Sequence, residues 1–146
     1  MREIGYHGKV VAFDLDDTLF RERDFCRSGF RYLCSPDSYP VLDIETYPSF
    51  KDLERLYNEM DEALSRRENP FDIFETLWQS IAERNGVEWD IKKHIDNYRA
   101  HSPSELPFLP EVEHTLLELR ERGIRMALIT DGRSKTQRNK IQALDL

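Results

Sequence analysis

Two short apolar runs bracket a long stretch of helical periodicity. The first, Val10-Val11-Ala12-Phe13, is followed at once by Asp14-Leu15-Asp16-Asp17-Thr18. Four apolar residues in a row, three of them β-branched or aromatic, predict a buried parallel strand. The second run, Ile124-Arg125-Met126-Ala127-Leu128-Ile129, predicts another strand that ends in Thr130-Asp131-Gly132, with a helix opening near Ser134. Between the two the apolar spacing changes to three and four. Glu22 to Cys34 places Phe25, Cys26, Gly29, Phe30 and Leu33 on one helical face and Arg23, Arg27 and Arg31 on another. A second helix runs from a Ser49 cap through Phe50, Leu53, Tyr57, Met60 and Leu64. Asn69-Pro70 open a third, with Phe71, Phe74, Trp78 and Ile81 inward, and Asn85-Gly86 close it. Asp90 starts a fourth that carries Ile91, Ile95 and Tyr98. Pro103, Pro107 and Pro110 mark a stiff return linker, after which Glu111 to Arg122 forms a helix with Val112, Leu116 and Leu119 on its apolar face, stopped by Gly123.

Strand, helices, then helix and strand again make this an α/β chain: a parallel-sheet core from residues 1–20 and 105–146, with an all-helical insertion over 21–104. Four amphipathic helices in sequence fit a small bundle. The core alone amounts to roughly 60 residues, a size at which little surface is buried on folding. An exposed hydrophobic sheet edge is the expected consequence, and it calls for completion by a second copy of the chain or by a further segment.

The carboxylates after the first run sit where open α/β sheets place their ligands, at the carboxyl end of a strand. Asp14 and Asp16 are two residues apart, so on an extended chain they face the same way. Two close carboxylates push their proton affinities apart, which suits one that stays ionised and one that carries a proton. A hard divalent cation with oxygen ligands, magnesium foremost, would offset their repulsion. The plainer role of such a cluster is to cap a helix or make an Asx turn, and that of Thr130-Asp131-Gly132 is a simple β-turn.

The string from Val10 to Leu19, hydrophobic-D-x-D-x-T-L, resembles the first motif of the haloacid dehalogenase-like superfamily, and the strand ending in Thr130-Asp131-Gly132 resembles its second motif, in the right order. The resemblance implies a partial Rossmannoid core with Asp14 as nucleophile and magnesium ligand. Asp16 becomes the general acid/base and contributes to the metal site through its backbone carbonyl, while Thr18, Thr130, Asp131 and Gly132 hold the loop and the phosphoryl group. An aspartate two residues after the nucleophile is the phosphatase pattern, because the leaving alcohol of a phosphate ester needs a proton and a halide does not. The helical insertion resembles the cap of such enzymes, and Arg23 is the residue best placed in it to meet an anionic substrate, although charged helix faces usually serve only solvation. The family's later lysine and final acidic motif have no room before Leu146. Lys135 and Lys140 lie on or beside the helix after Thr130 and are not given the lysine's role. Two readings follow: a magnesium-dependent phosphatase acting on a small phosphorylated metabolite, or a catalytically incomplete domain that binds metal and anion only.

Composition narrows the partners. A net charge of −7 over 146 residues disfavours a nucleic-acid footprint. No apolar run is long enough to span a bilayer and residues 1–9 lack a signal-peptide core, so a cytoplasmic, membrane-free protein is expected. Cys26 and Cys34 are eight apart on one helix and read as buried free thiols. His7, His94, His101 and His114 share no metal-ligand spacing, and Trp78 and Trp89 read as core.

Overall fold

The computed structural model describes residues 8–35, 49–86, 88 and 90–146. His7 and Trp89 lie outside them, so what the sequence suggests for those two is not addressed by the structure. Among the described residues the order is β1 (Val10–Phe13), α1 (Glu22–Leu33), α2 (Phe50–Ser65), α3 (Pro70–Asn85), α4 (Ile91–Ala100), α5 (Val112–Glu121), β2 (Arg125–Leu128) and α6 (Ser134–Ala143). The chain divides into two compact units, one of Met1–Phe25 with Pro103–Leu146 and one of Cys26–Ser102.

The first unit is α/β. β1 and β2 pair in parallel with Val10 opposite Arg125 and Phe13 opposite Leu128, and the ladder continues one step further through Ile129 N–H donating to the Phe13 carbonyl at 2.9 Å. Its core gathers Leu15, Leu19, Phe20, Phe25, Leu106, Ala143 and Leu144, with Phe13, Phe108, Val112, Leu128 and Ile141 against them. Both strands are more open than their apolar sequence predicts: Val10 is 51% exposed and Met126 38%. The reason is that the burial falls on the loop after β1, at Leu15, Leu19 and Phe20, rather than on the strand itself. α5 likewise buries no residue fully, its apolar face being only half-covered.

The second unit is helical, and its core is Phe30, Leu33, Leu53, Leu56, Met60, Phe74, Trp78 and Ala82. The caps fall where the sequence puts them. Ser49 Oγ accepts from Asp52 N–H, Asn69 caps α3 through Phe71 N–H, and Asp90 caps α4 through Lys92 and Lys93 N–H. Gly86 ends α3 in the left-handed region at φ 65°, where a Cβ would be strained. The inward face of α2 is rotated from the expected one. Leu53, Leu56, Met60 and Ala63 are buried, while Phe50 is 80% exposed at the first turn. α1 shows why a charged stripe need not be solvated: Arg27 forms a bidentate pair with Asp61 of α2 at 2.7 and 2.9 Å, and Arg31 lies over the Tyr57 ring. Cys26 and Cys34 are free thiols, each half-buried, and burial pushes the Cys34 thiol up to about 12.

Candidate active site

The parallel ladder ends with Phe13 opposite Leu128. Asp14 is therefore one residue past the last pair on one strand and Thr130 two residues past it on the neighbouring strand, so both motifs emerge at the same sheet end. Asp14 is exposed and its Oδ2 accepts from Thr18 Oγ1 at 3.3 Å, across a turn in which Thr18 and Leu19 N–H both donate to the Leu15 carbonyl. That turn anchors itself by burying Leu15 completely. Asp14, Asp16, Asp17 and Thr18 are thus carried on a short loop whose apolar residues are fixed in the core.

The three carboxylates of the cluster take different positions. Asp17 sits at φ 54°, in the left-handed region that aspartate tolerates better than most residues, and its Oδ1 accepts from Glu22 N–H at 3.0 Å, capping the start of α1. The helix-capping role therefore belongs to Asp17. Asp16 turns to α6, where Lys140 Nζ lies 2.6 Å from its Oδ1 and Gln137 Nε2 lies 2.9 Å from its Oδ2. Asp14 and Asp17 are exposed and Asp16 is half-buried, and of the three Asp14 has the longest described bond, that from Thr18.

Lys140 and Gln137 are neighbours of Asp16 that the sequence did not reveal. Lys140 is 4% exposed, with its ammonium between Asp16 and the rings of Phe25 and Phe20, 4.9 and 5.8 Å from their centroids, and 3.9 Å from Glu22. Burial raises the Glu22 carboxyl above its ordinary value, and the nearby Asp16 charge adds to the rise while Lys140 opposes it. The Gln137 amide nitrogen is shared between Asp16 and Thr130 Oγ1, each at 2.9 Å. The side chain lies over Gly132, where an added Cβ would come within 1.9 Å of that nitrogen. Gly132 is not at positive φ. A Cβ there would displace the Gln137 side chain from its present position. Gln137 Oε1 is buried with no hydrogen-bond partner among the described residues, an acceptor left unsatisfied while the nitrogen end makes both bonds. In the structure the buried positions of α6 are Gln137, Lys140 and Ala143, so two polar side chains occupy the stripe where an ordinary core helix is apolar.

Thr130 is half-buried and Asp131, Gly132, Arg133 and Ser134 are exposed at the start of α6. No side-chain hydrogen bond caps this helix at Arg133. Arg23 is half-buried in the first turns of α1. A hard divalent cation would find a suitable ligand in the Asp14 carboxylate; an ammonium against Asp16 Oδ1 leaves the Asp16 backbone carbonyl as the group that residue could offer. Among the described residues no three His, Cys, Asp or Glu side chains gather into a metal-holding group. A separate apolar groove of about 600 Å³ in the same unit is lined by Phe13, Leu19, Phe108, Leu116, Met126 and Leu128 among others, and by none of Asp14, Asp16, Thr18, Thr130, Asp131 or Gly132.

A family model described as hydrolase, haloacid dehalogenase-like hydrolase, matches residues 9–146. No curated protein matches the chain. No helix among the described residues is long and apolar enough to cross a membrane.

Proposed function

Because the chain belongs to the haloacid dehalogenase-like hydrolases, we propose that it is a phosphatase that opens small phosphate monoesters through a phosphoryl group carried on Asp14. The observation that supports this reading is the division of labour among the carboxylates: Asp14 is exposed beside Thr18, and Asp16 is fixed on the Thr130 side by a shared amide. In the first step an Asp14 carboxylate oxygen attacks phosphorus, the ester P–O bond breaks, and the departing alkoxide takes a proton from Asp16, leaving the aspartyl phosphate and a free alcohol. In the second, the Asp16 carboxylate takes a proton from water. The resulting hydroxide attacks phosphorus, and inorganic phosphate leaves with the Asp14 carboxylate restored.

Thr130 and the first-turn amides of α6 are assigned the non-bridging phosphoryl oxygens, with Asp131 and Gly132 forming the turn that presents them. Thr18 holds Asp14 in place. Hydrolases of this family generally use magnesium. The Asp14 carboxylate and the Asp16 backbone carbonyl would hold it, and the ion would neutralise charge on the phosphoryl oxygens. By its place directly after the first motif, the helical insertion is assigned the part of the cap, and Arg23, close to that motif in sequence, is assigned to an anionic substrate.

The test is magnesium-dependent release of phosphate from a panel of small phosphate esters. The Asp14→Asn chain is expected to lose at least about a thousandfold in rate, with a trapped hydroxylamine-labile acyl phosphate on the parent protein alone. Equal rates for the two proteins would remove the phosphatase reading.

A further inference from the structure

We propose that Lys140 and Gln137, which lie outside both motifs, are positioning residues for Asp16, and that Gln137 also dictates which way the Thr130 hydroxyl donates. The inference rests on the phosphatase reading above and extends it to residues of α6.

The geometry is specific. Gln137 and Lys140 are three apart on one helix, so they share a face one turn apart. That face presents one donor to each oxygen of the same carboxylate, Lys140 Nζ to Oδ1 at 2.6 Å and Gln137 Nε2 to Oδ2 at 2.9 Å. Two donors on two oxygens fix both the direction of the side chain and the rotation of its carboxylate plane, which a single contact does not. A proton carrier gains from this, because proton transfer depends first on the carrier being within hydrogen-bond reach of the reacting oxygen.

The second Gln137 bond has a different consequence. An amide nitrogen only donates, so the Thr130 oxygen accepts from it at 2.9 Å, and the one proton of that hydroxyl must point to some other acceptor. With a phosphoryl oxygen at the carboxyl end of β2, that proton is already committed to donation. Gln137 thus ties the acid/base residue of the first motif to the phosphate-binding residue of the second, and Gly132 lacks a side chain where the amide crosses it.

A purely structural ion pair is the alternative. Lys140 packs on Phe20 and Phe25 and is 4% exposed, an environment in which an apolar side chain of similar length would serve packing without the desolvation of an ammonium. Retaining the charge there has a use if Asp16 must be held. The two explanations differ in what they predict for the leaving group.

The experiment compares the parent chain with Lys140→Met, Lys140→Arg and Gln137→Met on two esters, an alkyl phosphate whose alkoxide needs a proton to leave and a nitrophenyl phosphate whose phenoxide does not. Positioning of a proton donor predicts a fall in kcat of roughly tenfold or more on the alkyl ester with KM little changed, a much smaller fall on the nitrophenyl ester, and partial recovery in Lys140→Arg. Equal losses on both esters, in proteins that melt with the parent, would overturn the proposal. A readout independent of activity separates this from the phosphatase reading: amine labelling by reductive methylation, followed residue by residue with mass spectrometry. Lys140 is expected to label far more slowly than exposed Lys135 in the parent and to accelerate in Asp16→Asn, measured below that variant's melting transition. Lys140 labelling that matches Lys135 in the parent, or that is unmoved by Asp16→Asn, would refute the clamp. A parent with no Asp14-dependent hydrolysis would instead sink the phosphatase reading, and the labelling would still decide whether Asp16 is what holds Lys140.

Discussion

At the scale of single residues, Asp14 and Asp16 carry similar formal charge and opposite structural cost. Asp14 is exposed and bonded to Thr18 at 3.3 Å, so Asp14→Asn should leave stability within about 0.5 kcal/mol of the parent while abolishing turnover. Asp16→Ala leaves an ammonium buried without its nearest carboxylate, a loss on the order of 3 kcal/mol. Urea melts of the two variants side by side check this, and comparable stability losses would show that Lys140 finds another partner on its own. Gly132→Ala tests the same arrangement from the other side. The backbone there tolerates alanine, but the new Cβ would fall 1.9 Å from Gln137 Nε2, so the amide must withdraw from Asp16 and Thr130. We expect Gly132→Ala to cost about 1–3 kcal/mol and to reproduce the activity loss of Gln137→Met; a fully active Gly132→Ala enzyme would contradict that account. The acids and hydroxyls of both motifs were legible because strand ends and motif spacing are local. Gln137 and Lys140 were not, since their roles depend on a partner more than a hundred residues away, and a lysine on a helix reads as a surface residue until its partner is known.

At the scale of elements, capping chemistry carried most of what the sequence predicts. Ser49, Asn69-Pro70 and Asp90 each start a helix, and Gly86 and Gly123 follow helix ends at positive φ. Facing is less local. The periodicity of α2 is compatible with Phe50 inward, yet the first turn of a helix can lie beyond the core, and Leu56 and Ala63 take the buried positions. α4 hid a different feature. His94 is buried against Phe74 and Trp78, with ring centroids 5.6 and 5.4 Å away, and burial lowers its pKa to about 4, with Lys93 adding to the fall and Asp90 opposing it. His101, buried beside Tyr98 and Ser28, is lowered in the same direction. Well above pH 6.5 both imidazoles are neutral folded or unfolded and add no pH dependence. As the pH falls from 6.5 toward 4, the unfolded chain takes up a proton that the folded chain refuses at His94, so stability declines on acidification, by at most about 1.4 kcal/mol per pH unit for one such site. Denaturant melts at pH 7.5 and 5 should show this loss, and His94→Leu should flatten it. A slope unchanged by His94→Leu would place the acid sensitivity elsewhere, with His101 the first residue to examine.

At the scale of the whole molecule, the two units solve the burial problem differently. The helical unit closes a core in which Phe30, Leu56, Met60 and Phe74 are fully buried. The α/β unit gathers its buried residues on the loop after β1 and at the end of α6, and leaves a sheet of two strands among the described residues. Val10, Met126 and Ile129 are exposed at 51, 38 and 67%, and the apolar groove of about 600 Å³ runs beside Phe13, Leu116 and Leu128. Unpaired backbone along a strand edge, next to an exposed apolar surface, is a template for further pairing. A net charge of −7 spread over the chain opposes association but does not satisfy those backbone groups. The expected behaviour is binding of a hydrophobic dye at neutral pH, together with an apparent mass in sizing experiments that rises with protein concentration. Met126→Lys places a charge in the groove and on β2, and should suppress both effects while leaving the fold intact, because Met126 is exposed and the ladder bonds are made by backbone. If dye binding and mass are the same in Met126→Lys as in the parent, the α/β unit is closed at that face by contacts other than those described, and the openness of its strands would no longer account for how the chain behaves in solution.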